Sequence, residues 1–242
     1  MAVRAESTSG LRLLAGVLAA AMCAVPARAA APDVIVYGDP ALARPLHDVA
    51  ARFTAQTGVP VHVFTTSPTL ILAQLRHEVW NDVVVTLAPW MDQAEKAGVI
   101  DAGTRTGAWR TTLVIAKPEA SGSSDVFAVT DPTPAASIDG LAVMAALGLH
   151  PAKIQGVANG ANVAFLLDTG AASEGLLHLT EVRADSRLRV AASVADSAYP
   201  PIIYDAAIST LTHSPNARAF LAYLHSPTAT EVLQADGVET VK

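Results

Sequence analysis

Apolar positions along the chain follow two alternating periods. Val34 to Tyr37 is an unbroken apolar run, the pattern of a strand buried on both faces. It stops at Gly38-Asp39-Pro40, after which Leu42, Leu46, Val49, Ala50 and Phe53 fall on one face of a helix. Asp39 suits the N-cap of that helix and Pro40 its first position. A strand running directly into a capped helix leaves backbone N–H groups converging on one spot, which the positive end of the helix makes hospitable to an anion. Val59 to Phe64 alternates as a second strand, and Thr65-Thr66-Ser67-Pro68 is a hydroxyl-rich break before a helix over 70–79. Asp82 to Thr86 reads as a third buried strand, residues 90–97 as a short helix closed by Gly98, and Thr111 to Ala116 as a fourth strand ended by Lys117-Pro118.

The polar stretch 119–124 is the best linker candidate. Beyond it, strands are predicted over 126–130, 155–158, 174–178 and 188–193. Helices are predicted over 136–147, ending at Gly148, and around 163–169, after the Asn159-Gly160 turn. Tyr199-Pro200-Pro201 begins a stiff extended crossing that reaches Tyr204. Helices over 216–225 and 228–235 complete the pattern. Strands alternating with helices predict an α/β fold with mostly parallel sheets. The expected division is a first lobe of residues 30–112 plus 200–242 and a second of 113–199. Two chain crossings between them would make a hinged cleft.

The first 29 residues read as a leader rather than as part of this fold. Arg4 and Arg12 precede an apolar run from Leu13 to Val25, too short to span a bilayer comfortably, and Ala27-Arg28-Ala29 is an A-x-A cleavage signal. A Sec-type signal peptide cut near Ala29, and a periplasmic address, are expected. Ala20-Ala21-Met22 makes a poor lipobox before Cys23. Cys23 is the one cysteine, so the mature chain would carry no thiol, disulfide or cysteine-based metal site. The leader has three arginines against one glutamate, so its loss takes the net charge from −6 to −8. That balance argues against nucleic acid or an anionic membrane as partner. An anion would have to be held by local dipoles. The chain has no G-x-S-x-G elbow, no phosphate-binding G-x-x-x-x-G-K-[ST] and no histidine spacing of a metal site, so an enzyme is not expected.

Five segments in order resemble a known family. They are VIVYGDPALARPLHDVAARFTAQTGVPVHVF, NDVVVTLAPWMDQAEKAGVID, FAVTDPTPAASIDGLAVMAALGL, YPPIIYDAAIS and ARAFLAYLHSPTATEVLQADGV. Together they are similar to the periplasmic molybdate-binding proteins of ABC importers, a branch of the type II periplasmic binding proteins. The resemblance implies two α/β lobes closing over an oxyanion, molybdate or tungstate, with no cofactor and no protein-ligated metal. It implies a monomer that delivers its ligand to an inner-membrane permease with its ATPase. The family uses hydroxyls and backbone N–H groups at helix starts. Carried over by position, its first serine falls on Ala41, beside Asp39, and its second on Thr66 or Ser67. Its backbone contacts fall on Ala136 and Val163, and a tyrosine that reaches the ligand falls on His178. Three positions depart from the family: Ala41 lacks the hydroxyl, His178 stands in place of the tyrosine, and Asp39 puts a carboxylate beside the site, where it either caps its own helix or touches ligand. A different ligand on the same fold (a small organic or lipid-like molecule, or a cation) is the alternative that these departures raise.

Overall fold

A computed structural model describes residues 32–120, 124–131 and 139–241. The expected leader over 1–29, with Cys23, and the expected contact Ala136 therefore lie outside the described residues. β1 (Val34–Gly38) leads through a 3₁₀ turn at Pro40–Leu42 into α1 (Ala43–Thr57). Gly58 ends that helix with φ 74°, a left-handed conformation that glycine adopts at little cost. β2 (Val61–Thr65), α2 (Pro68–Arg76), β3 (Val83–Leu87) and α3 (Ala88–Lys96) follow as the periodicity predicts.

The next strand departs from the expectation. β4 (Ile100–Thr111) is twelve residues long and had no hydrophobic signature, because its sequence IDAGTRTGAWRT is mostly small and polar, without alternation. Pairing with neighbours on both sides holds it instead. A single residue, Thr112, separates it from β5 (Leu113–Pro118). β6 (Val126–Thr130), α4 (Gly140–Ala146), β7 (Lys153–Val157), α5 (Gly160–Asp168), β8 (Glu174–His178), α6 (Leu179–Ala184) and β9 (Leu188–Ser193) come next. β10 (Ile203–Ser209), α7 (Ala217–Tyr223), α8 (Pro227–Ala235) and β11 (Val238–Thr240) finish the chain.

Two sheets result. One has the order β11-β4-β10-β3-β1-β2, the other β7-β6-β8-β5-β9. The pairing is mixed rather than mostly parallel. β1 pairs parallel with β2 and β3, and β6 with β7 and β8, because helices connect those strands as crossovers. β4, β5, β9, β10 and β11 pair antiparallel where they meet. The chain passes between sheets at β4–β5 and between β9 and β10, and no crossover helix sets its direction there.

The passages are tied to each other. The Leu113 N–H donates to the Tyr199 hydroxyl at 3.2 Å, and that hydroxyl lies 3.2 Å from an Asp196 oxygen. Arg110 pairs with Asp196 at 3.2 Å and with Glu239 at 2.7 Å. A continuous apolar cluster runs from Val36, Leu46 and Phe53 of the first sheet's layers to Phe127, Val129 and Leu176 of the second's. Among the tryptophans, Trp109 is core, whereas Trp80 is half exposed and stacks edge-on against His213.

Candidate functional site

Four strand-to-helix junctions surround a cavity of about 420 Å³. From the first sheet come Asp39, Pro40 and Ala41 after β1, and Thr65, Thr66 and Ser67 after β2. From the second come Ala158, Asn159 and Gly160 before α5, and His178 and Glu181 at the start of α6. Leu113, Leu176 and Leu177 supply an apolar wall.

Each junction is capped. Asp39 has extended backbone, and its Oδ1 accepts the Ala41 N–H at 3.0 Å, so it caps the 3₁₀ turn while lining the cavity. The residue is fully buried. Ser67 Oγ accepts the Leu70 N–H at 3.4 Å and lies 3.0 Å from Thr69 Oγ1. Asn159 Oδ1 accepts the Asn162 N–H at 3.0 Å. Glu181, at the third position of α6, accepts the His178 N–H at 2.9 Å through Oε2. The Ser67 and Gly160 amides, both on the cavity wall, donate to no partner among the described residues. They are donors available to a ligand.

The sequence reading brought Asp39, Ala41, Thr66, Ser67 and His178 to this cavity, and the structure places all five on its wall. Val163 is not there. Its side chain is fully buried and its N–H donates to the Asn159 carbonyl at 3.3 Å, inside the helix ladder. The donor that α5 presents is Gly160, three residues earlier, since helix starts leave only their first amides unpaired. Glu181 was missed altogether.

Electrostatically the cavity is unusual for an anion site. It has two carboxyl groups on its wall and no basic side chain among its described lining residues. Burial pushes the Glu181 carboxyl up to about 7, the His178 N–H bond pulls it down, and the Asp39 charge adds to the rise. Burial drops the His178 imidazole to about 4, so the ring is neutral at physiological pH. His178 Nδ1 is buried with no partner among the described residues. Tyr204, fully buried on β10, is held far above its usual range by burial, then by the charges of Asp39 and Glu181. A sphere of the cavity's volume is about 9 Å across, so a charge at its centre lies within roughly 5 Å of the wall, where each unit-charge pair interacts by roughly 3 kcal/mol at an effective permittivity of about 20. Among the described residues, no three His, Cys, Asp or Glu side chains gather as a metal-binding group.

The profile of the bacterial extracellular solute-binding proteins matches residues 34–239. The chain belongs to that family. The solute-binding protein is 24% identical over 250 residues to the molybdate-binding protein ModA of Escherichia coli (strain K12), spanning 94% of this chain and 96% of that one. The periplasmic molybdate-binding protein of Azotobacter vinelandii superposes with a TM-score of 0.74 at 21% identity, over 87% of this chain and 100% of its own. The sulfate-binding protein SubI of Mycobacterium tuberculosis superposes with a TM-score of 0.67 at 14% identity, over 88% of each chain. The fold is thus the two-lobed one of periplasmic binding proteins, and the chain is a binding protein rather than an enzyme.

Proposed function

We propose that the chain is the receptor of an ABC importer and binds molybdate or tungstate in the cavity between its two sheets. The observation that carries the reading is the convergence of unpaired amides, Ser67 from one sheet and Gly160 from the other, on one cavity. Thr65, Thr66 and Ser67 add hydroxyl donors beside them. The 24% identity to ModA over nearly the whole chain supports the choice of ligand. Ala41 brings no hydroxyl to its side of the cavity, Ala136 lies in an undescribed stretch, and neutral His178 is a donor or acceptor through its ring.

In this reading residues 30–112 with 200–242 form one lobe and 113–199 the other, hinged at the two passages that Tyr199 and Arg110 tie together. Closure over the ligand presents both lobes to a membrane permease with its ATPase. The chain acts as a monomer in the periplasm, exported by its first 29 residues. The test is thermal melting of the mature chain with sodium molybdate, sodium tungstate and sodium sulfate. A ligand at a hundred times its Kd stabilises by about 2.7 kcal/mol, roughly 5 to 10 °C in a domain of this size. A rise with molybdate or tungstate is expected, and no shift with either overturns the reading.

A further inference from the structure

The cavity wall combines the donors of an anion site with two groups that repel anions. Asp39 is accounted for in part by its cap on Ala41. Glu181 is less so. Its Oε2 takes the His178 N–H, while Oε1 has no hydrogen-bond partner among the described residues. The carboxyl lies against the Cα of Gly160, so close that a Cβ there would collide with it. It therefore stands beside the Gly160 amide, one of the donors that an oxyanion would use. A carboxylate in that place accepts hydrogen bonds and repels the ligand, whereas a carboxylic acid donates one.

We propose that the cavity takes up one proton with each oxyanion, held in the hydrogen bond between Glu181 and the ligand. This rests on the oxyanion reading above and explains how an acidic wall admits a dianion. The balance is simple. Ionised Glu181 gains a proton from solvent as the ligand enters, its O–H donates to a ligand oxygen, and no covalent bond of the ligand changes. Departure of the ligand returns the proton.

The groups that face Glu181 favour this arrangement. The coulombic influence of Asp39, in the turn before α1, raises the Glu181 carboxyl and so disfavours its charged form. His178, at the end of β8, is neutral, and Tyr204, on β10, stays a phenol. Arginines on the helices around Glu181 have other partners. Arg183 on α6 donates to the carbonyls of Gln234 and Ala235 at 2.8 Å, and Arg44 on α1 pairs with Asp48 at 2.9 Å. The Glu181 carboxyl, already raised to about 7 by burial, is poised to change state near neutrality.

The test is calorimetric titration of the mature chain with sodium molybdate between about pH 6 and pH 8.5, in buffers of different ionisation enthalpy. Molybdate is a dianion throughout that range. Close to one proton taken up per ligand is expected at the alkaline end and close to none at the acid end. The affinity should fall towards tenfold per pH unit above neutrality. Glu181→Gln should bind with no proton uptake and with a pH-independent affinity. Molybdate binding whose affinity is flat with pH and takes up no proton overturns this inference and leaves the receptor reading intact. Failure to bind molybdate at any pH overturns both. Equal proton uptake in wild type and Glu181→Gln assigns the proton to another group and also overturns the inference.

Discussion

Asp82, just before β3, has five donors around its two oxygens, and Glu181, at the third position of α6, has one. The Asp82 side chain, wholly buried, accepts from the Ile35 N–H at 2.8 Å, Thr212 Oγ1 at 2.8 Å, the His213 and Ser214 N–H groups at 3.0 Å and Trp80 Nε1 at 3.4 Å. Burial alone would raise its carboxyl, but these bonds overcome it and hold the group below its ordinary value. For Glu181 burial wins over a single N–H, and the carboxyl rises to about 7. The same side-chain chemistry thus fastens loops in one place and stays chemically unsettled in the other. A buried acid with all its bonds made is architecture. One left short of donors, on a cavity wall, is available for function.

The largest expected effect comes from breaking the fastened carboxylate. Asp82→Ala strands donors from β1 and from the loop after β10, and each buried unpaired group costs about 1 to 3 kcal/mol. A loss of about 4 kcal/mol is expected, lowering the melting temperature by roughly 10 °C or more. Its pH dependence follows from the sign of the shift. The folded carboxyl lies below the unfolded value of 3.8, so the stabilisation is present above that value and is lost as pH falls through the folded one. Wild type and variant should draw closer in acid; a gap that widens as pH falls below 3.8 would contradict the account.

Glu181→Gln should act in the opposite direction and by less. The folded carboxyl at about 7 lies above the unfolded 4.5, so the folded state favours the protonated form. The contribution is fully present below 4.5 and is lost as pH rises through 7. An amide that cannot ionise escapes this loss. The variant should therefore be more stable than wild type at about pH 8, by roughly 2 kcal/mol, and the advantage should vanish at about pH 5. Melting curves at the two pH values measure it, and a variant less stable at both would show Glu181 to be a structural group like Asp82.

The contrast also marks what the sequence made legible. Asp39 and Ser67 lie where strand pattern meets helix pattern, so periodicity and capping chemistry mark them, whereas His178 comes from the family resemblance alone; all three line the cavity. Glu181 lies in LTEVRA, a six-residue helix too short to announce itself by period, and it is only half-buried, so its desolvation comes from the cavity around it. Val163 came from the resemblance by position alone; in the fold Asn159 is the N-cap, so the Val163 N–H already lies inside the helix ladder and Gly160 presents the unpaired amide. β4 was invisible for a related reason: its partners, not its own residues, make it a strand.

Gly160→Ala separates stability from binding chemistry, and its effect on stability should be the smallest of the three. The three atoms nearest the added methyl all belong to the carboxyl end of the Glu181 side chain, which can swing aside, rather than to backbone. Alanine is also favoured over glycine in a helix, by about 1 kcal/mol in the interior and by less at a first position such as this, which offsets part of the displacement. The melting temperature should stay within about 3 °C of wild type. The carboxyl, pushed off the α5 start, would no longer share the ligand's hydrogen bond with the Gly160 amide, so proton uptake with molybdate at about pH 8 should fall by at least about half. Uptake unchanged in this variant, with the fold intact, would mean that the position of the carboxyl against Gly160 is incidental. The difference between the two acids would then be one of hydrogen bonding alone.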